Sequence, residues 1–493
     1  MPLLPLDIPA GIYRNGTDLQ SQGRWRDSNL VRWHDGTMQP IQGWRVRADT
    51  ATADIPRSLK IWLDNSSNRW IAAGTYRKLY IYDDDSARFD ITPTGLTPGS
   101  ETAVDSTSYG GGGYGEDPYG EPRPESTLGV FATTWSLDTW GEYLLACSNA
   151  DGKIYEWRLS TSTIAAPVTN APTGNVAMMV TDERFVFALG AGGNPRKIQW
   201  SDRENNTVWT AAATNEAGSI ELQTSGVIQC GVRVQNQALI LTTTDAHTAT
   251  YSGPPYVYGV ERVGTSCGSV SQQGVAVVDM GAVWMGRESF FVYSGGTVQE
   301  LASDVSDYIY SDINVAQMSK IVAVSNAKFS EIRWFYPSAE SVENDSYVAF
   351  NYQENTWSIG KLARTAAADA GVYRYPIYAN PTDKKLYEHE VGFNYDALTP
   401  YAETGPIMLG VGDNVMSITQ LIPDERNQGD VKATLKTRFY PNDTERTYGP
   451  YTMTSPVSLR LTGRQIRLRI DTVVEGDWRV GINRLEVKAG GNR

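Results

Sequence analysis

Cysteine and histidine are both scarce, at three residues each in a chain of 493. Cys147, Cys230 and Cys267 lie far apart and form no CxxC, which excludes a disulfide framework and leaves zinc or iron–sulfur ligation unsupported. They read as small buried hydrophobes. His34, His247 and His389 fall into no HExxH or Cys/His grouping, so no metal site is expected from them. Charge is sparse too: 20% of residues are charged and the balance is acidic, with a formal net charge of -13. That balance opposes a broad grip on a nucleic-acid backbone, although it does not bar DNA from passing nearby. No apolar run approaches the roughly 18 residues of a membrane-spanning helix. The first residues, MPLLPLDIPAGIYRNG, lack the basic region of a signal peptide.

Catalytic motifs are missing as well. The acidic run Asp83, Asp84, Asp85 lacks the spacing of a calcium loop, and the glycines 110 to 113 precede no Lys-Ser/Thr. Cys267, in GTSCGSV, lacks the order of a nucleophile elbow. No catalytic residue, cofactor or metal is therefore expected, and the chain is read as no enzyme.

The residues that are abundant point to strands. The chain holds 46 glycines, 24 prolines, 14 tryptophans and 27 tyrosines, and 41% of it is hydrophobic. Its length exceeds what one core normally supports. Within KLYIYD, Leu79 and Ile81 alternate with Tyr80 and Tyr82, the period of a strand. GEYLLACSNADGKIYEW (141 to 157) sets two strands around an Asn-Ala-Asp-Gly turn. Similar hairpins follow at 183 to 202, 236 to 253, 281 to 296 and 346 to 362. One short helix fits 303 to 313.

An aromatic recurs in the hairpins at Tyr80, Tyr155, Trp200, Tyr251, Tyr293, Trp357 and Tyr387. With segment 96 to 126 set aside as an insertion, the spacing is irregular but centres on roughly 40 to 50 residues, the repeat of propeller blades. The expected fold is all-β: a β-propeller of about seven blades, or six, over 29 to 400, with a β-sandwich over 401 to 493. Residues 1 to 28 are read as an N-terminal arm. The two strands around the Asp-Gly turn in NLVRWHDGTMQPIQGWRVR (29 to 47) are expected to complete the last blade.

Two surfaces are candidates for contacts. The Gly-rich insertion 96 to 126 exposes Tyr109, Tyr114 and Tyr119, either as a bland surface loop or as a segment that orders against a partner. In the C-terminal region, VSLRLTGRQIRLRID alternates apolar residues with Arg460, Arg464, Arg467 and Arg469, a solvated face or a docking surface for an acidic partner.

The runs IPAGIYRNGTDLQSQGRWRDSNLVRWHDGTMQPIQGWRVR (8 to 47) and RWIAAGTYRKLYIY (69 to 82), with YGPYTMTS (448 to 455) and GRQIRLRID (463 to 471), resemble tail proteins of short-tailed double-stranded DNA bacteriophages. The group is that of the tail nozzle and packaged DNA stabilization proteins. The resemblance implies a structural virion component, assembled in the host bacterial cytoplasm as a homo-oligomeric, hexameric ring. Such a ring lies below the portal and the adaptor, meets needle, plug or fibre proteins, retains packaged DNA and lets it exit without sequence-specific binding. It also implies that Trp25, Arg32, Trp33, Gly36, Gly43 and Trp44 carry blade closure. The alternatives are a tail hub or receptor-binding component and, further off, a propeller glycosidase with channel carboxylates.

Overall fold

The computed structural model describes residues 3–103, 131–408 and 414–490. In its first complete hairpin repeat, Ser58–Leu63, Arg69–Gly74, Leu79–Tyr82 and Arg88–Asp90 pair antiparallel in chain order. Every residue of Leu79–Tyr82 is buried, so this small sheet is covered on both faces, and its neighbours must do the covering.

Among the described residues six more four-stranded sheets of this kind follow, making seven. Their first strands are Trp135–Trp140, Ala177–Val180, Ile228–Val234, Val275–Val278, Val322–Asn326 and Ala366–Ala368. Each packs beside the first strand of the next sheet, and the last returns to Ser58–Leu63. The chain is thus all-β and multi-sheet, of the propeller type, in which closing the ring covers faces that single small sheets would expose. Of the recurring aromatics, Tyr80, Tyr155, Trp200, Tyr251, Tyr293 and Tyr387 lie on the third strand of their sheets. Trp357 lies on a fourth strand, Thr356–Lys361, and this offset accounts for the uneven intervals around it.

The seventh sheet has three strands of its own, Ala366–Ala368, Ile377–Ala379 and Leu386–His389, and takes its fourth, Trp44–Ala48, from near the N-terminus. One vacancy admits one strand. The hairpin Val31–His34 with Thr37–Pro40, expected to join the closure, instead forms a two-stranded unit outside the ring.

Two further sheets lie beside the ring. One orders Leu3–Pro5, Arg484–Ala489, Met416–Ile422 and Val457–Gly463. The other runs Trp25–Asn29, Tyr401–Thr404, Gln465–Thr472, Val431–Arg438 and Arg446–Thr452, with Ile407–Met408 also paired to Gln465–Thr472. Ile418, Leu461 and Val487 of the first share one apolar core with Ala433, Leu468 and Ile470 of the second. Segment 1 to 28 is therefore not a separate arm: its described strands complete both sheets, pairing backbone groups that sheet edges would leave open.

The same core continues into the ring through Phe290, Trp334 and Trp357. The ring centroids of Trp357 and Phe350 are 4.7 Å apart, and those of Trp357 and Phe290 4.9 Å. Backbone contacts fix the junction: Ser28 Oγ donates to the Ile359 carbonyl at 2.7 Å, and the Lys361 N–H donates to Asn29 Oδ1 at 2.8 Å. The helix expected near 303 to 313 is Ser306–Asp312. No described helix is long and apolar enough to cross a membrane.

Candidate functional site

All seven first strands contribute to a cavity of about 410 Å³ on the ring axis. Its charged lining residues are Lys60, Asp138 and Arg233, from the first, second and fourth sheets. Asp138 Oδ1 accepts from Lys60 Nζ at 2.9 Å and from Arg233 at 3.1 Å, while Oδ2 accepts the Val180 N–H at 3.0 Å. Burial alone would raise the Asp138 pKa, but the two cations and the N–H outweigh it and hold the carboxyl below its ordinary value. The other side of the cavity is apolar, formed by Val275, Val277, Val322, Ala323 and Ala367.

Amide side chains tie the mouth together across the ring. Gln273 Nε2 donates to the Trp135 carbonyl at 3.0 Å and also to Ser58 Oγ, and Gln272 Nε2 donates to the Val176 carbonyl at 2.5 Å. Cys230 lines the cavity too, its thiol pushed up to about 12 by burial. A carboxylate occupied by four donors, the Thr139 N–H at 2.9 Å among them, and a thiol held protonated are poorly suited to proton transfer or nucleophilic attack.

The residues expected at blade closure separate into three places. Gly43 immediately precedes the closing strand, which Trp44 opens. A Cβ on Gly43 would come within 2.3 Å of the Asn394 carbonyl oxygen, so only glycine permits that approach. Trp44 stacks on His389 with centroids 5.3 Å apart, and His389 stacks in turn on Tyr378 at 4.2 Å. His389 Nε2 accepts from Arg364 Nε at 2.8 Å, and burial together with Arg364 and Arg333 holds this imidazole neutral.

Arg32 and Gly36 belong to the separate hairpin. Asp35 and Gly36 have φ of 51° and 70°, the left-handed pair of a tight two-residue turn. Arg32, 2% exposed, is gripped by Glu331 at 2.9 Å and by both oxygens of Glu390, at 3.0 and 2.5 Å. Its guanidinium lies 3.7 Å from the centre of the Phe329 ring. Burial would raise the Glu390 pKa, but Arg32 and Arg333 outweigh it and keep the carboxyl below its usual range. Glu331 opens the second strand of the sixth sheet, and Glu390 follows the third strand of the seventh. Arg32 therefore staples the hairpin across two sheets. Trp25 and Trp33, with centroids 6.1 Å apart, lie in the core shared with the terminal sheets. Neither acidic partner of Arg32 carried a sequence signal, because the contact spans some 300 residues or more.

Among the expected contact residues, Tyr109, Tyr114 and Tyr119 lie outside the described residues. Arg464 lies over the ring of Tyr440 at 5.0 Å. Arg467 and Arg469 do not offer free charge. Arg467 pairs with Asp18 at 2.5 Å and Glu445 at 2.7 Å, and Arg469 pairs with Asp471 at 2.8 Å. Lys436 fills the same face by pairing with Glu403 at 2.8 Å. The face read as a basic docking surface is thus neutralised within the chain, in part by Asp18 from the N-terminal segment.

Three outward cations without an ion pair to a described residue lie on the other terminal sheet. Arg460 projects outward between buried Leu459 and Leu461, and Arg484 and Lys488 project outward on either side of buried Leu485 and Val487. None of the three forms an ion pair with a described residue. Glu486, between the last two, accepts from Thr419 Oγ1 at 2.5 Å. The alternation in RLEVKA was a legible signal for Arg484 and Lys488.

His34 meets two carboxylates, but on opposite nitrogens: Nε2 lies 3.7 Å from Asp35 and Nδ1 lies 3.3 Å from Glu354. Glu354 also accepts the Asp35 N–H at 2.7 Å. One ligand atom from each of His34, Asp35 and Glu354 lies within 4.8 Å of the others, but the group is partly exposed and its closest contacts are the hydrogen bonds of the turn. His247 is buried in the fourth sheet, and burial lowers its pKa.

No protein-family model matches the chain, and no curated protein matches it. Among solved structures, virginiamycin B lyase from Staphylococcus aureus is similar at 9% identity and a TM-score of 0.43, over 70% of this chain and 99% of the lyase. The β-propeller domain of Cps50 (Swd1) from Myceliophteria thermophila gives 9% and 0.42, over 71% and 99% of the two chains. The WD40 propeller domain of Doa1 gives 10% and 0.40, over 70% and 96%. Likeness at this level concerns shape alone and says nothing of activity.

Proposed function

We propose that this chain is a structural component of a short bacteriophage tail: a seven-bladed propeller fused to a β-sandwich, six copies of which form the nozzle ring below portal and adaptor. Double-stranded DNA leaves through that ring, which helps needle or plug proteins retain it beforehand. The observation that carries the reading is the outward face bearing Arg460, Arg484 and Lys488 on a chain of net charge -13. A basic face on an acidic molecule suits a heterologous contact, in which one surface of a copy meets a different surface of the next and rotation closes the ring. The continuous core between ring and terminal sheets supports the same role, since it lets the subunit transmit load as one body. An acidic balance also lets DNA slide, because few phosphate contacts are available to hold it.

Cryo-electron microscopy of the purified protein beside its native particle tests this directly. The expected result is six copies around a DNA-wide channel beneath a portal. Replacing Arg460, Arg484 and Lys488 together by Glu should abolish the ring while leaving a folded monomer. Rings that persist in that variant would remove the charged face from the assembly, and a monomer absent from the tail would overturn the proposal.

A further inference from the structure

We propose that the axial cavity is a binding site for a small organic anion, its acid group held by Lys60 and Arg233 and its apolar body lying against Val275, Val277 and Val322. This inference stands apart from the assembly role and does not depend on it.

Three observations meet in it. The first is charge. Among the described lining residues two cations share one carboxylate, which leaves one positive charge beyond what Asp138 cancels. Partial enclosure weakens solvent screening and makes that excess count for more than it would on an open surface. The second is unspent hydrogen-bonding capacity. An ammonium has three donors and a guanidinium five, yet Lys60 and Arg233 each direct one described hydrogen bond, both to Asp138 Oδ1. Their side chains remain 28% and 36% exposed, so the free donors are reachable by a ligand. Asp138 itself has its orientation fixed by the Val180 N–H, and it holds both cations beside one point in the manner of a preorganised clamp.

The third observation is the asymmetry of the wall. The cations come from the first and fourth sheets, whereas Val275, Val277 and Val322 come from the fifth and sixth. Inorganic anions would use only the charged side. A carboxylate or phosphate ester with a compact hydrocarbon or aromatic body uses both, and a cavity of about 410 Å³ is in the range of small-molecule sites. Duplex DNA is far too wide to enter, which separates this site from any DNA path.

Isothermal titration and ligand-detected NMR on the full chain test it, with benzoate as probe, benzamide as its uncharged counterpart and inorganic phosphate as the anion without a body. Benzoate should bind saturably, at least about tenfold more tightly than either of the others. Lys60→Gln and Arg233→Gln should each weaken benzoate about tenfold, whereas Arg196→Gln, at an exposed site away from the cavity, should leave it unchanged. No saturable benzoate binding up to about 10 mM overturns the proposal. Binding that both cavity variants leave intact overturns it as well, by placing the site elsewhere. Phosphate binding as tight as benzoate removes the apolar half and overturns the stated ligand class. Should either variant fail to fold, the three probes on the unaltered protein still decide. Ring assembly is expected to be indifferent to both substitutions, so failure here and failure of the nozzle reading are distinguishable.

Discussion

The seven-sheet ring and the two terminal sheets are built from the same kind of strand, yet they are joined in opposite ways. Within the ring, nearly every pairing is between strands adjacent in sequence, and one long-range pairing, Trp44–Ala48 with Leu386–His389, closes it. In the terminal sheets the long-range pairing is the rule: Leu3 faces Glu486, and Trp25 faces Thr404. The ring therefore depends on a single closure, reinforced by a buried ion cluster. The terminal sheets depend on threading both ends of the chain together. Local pairing forms with little loop-closure cost, while the threaded pairs order hundreds of intervening residues first.

The sharpest way to break this comparison is to remove the staple. Arg32→Ala leaves Glu331 and Glu390 buried without their main counter-charge, and losing one partner of such a group costs about 3–5 kcal/mol. Urea unfolding should show a loss of that size, partly recovered when Arg32→Met is combined with Glu390→Gln. A loss under about 1 kcal/mol would mean that closure rests on the strand alone, since exposed pairs contribute no more than that.

The same contrast decides what could be read from residues alone. Hairpins such as 141 to 157 announce themselves through alternation and turn chemistry, so the ring was legible almost sheet by sheet. Trp357 misled by one strand because aromatics pack on third and fourth strands alike. The role of Trp25 was not legible: nothing near WRDSN says that its partner strand is Tyr401–Thr404. Alternation does place Asp471 beside Arg469 on the outward face, but it could not reveal that Asp18, 449 residues away, would neutralise Arg467. Alternation shows which residues face outward, and the long-range contacts decide what meets them. The axial trio was hidden for the same reason, since Lys60, Asp138 and Arg233 come from three different sheets.

A smaller perturbation tests the closing strand itself. Gly43→Ala places a methyl against the Asn394 backbone, and backbone has less freedom to yield than a side chain. Overpacking of this kind costs about 1–3 kcal/mol. Hydrogen exchange should localise the loosening to Trp44–Ala48 and Leu386–His389 and spare the terminal sheets. Uniform loosening of both regions would show that ring and terminal sheets unfold as one unit, as their shared core allows.

The smallest expected effect separates the two regions by the sign of their response to pH. In the ring, Glu390 has a lowered pKa, so its contribution is present at neutral pH and lost only as pH falls through the acid range. In the terminal region, Glu425 is the reverse case. Burial pushes its carboxyl up from 4.5 to about 7, offset in part by the N–H groups of Val431 and Gly429. The folded state then holds a proton that the unfolded state has released, so stability is greatest below about pH 4.5 and declines as pH rises to about 7. Glu425 is only partly buried, and solvent screening keeps the effect modest. Between about pH 5 and 7 the buried His247 and His389, with lowered pKa values, make stability rise with pH, so the Glu425 contribution is read as a difference between two proteins. The melting temperature of Glu425→Gln minus that of the unaltered protein should increase as pH goes from about 5 to 8. A difference that does not change with pH would remove Glu425 from the response and leave the two regions alike in their response to protons.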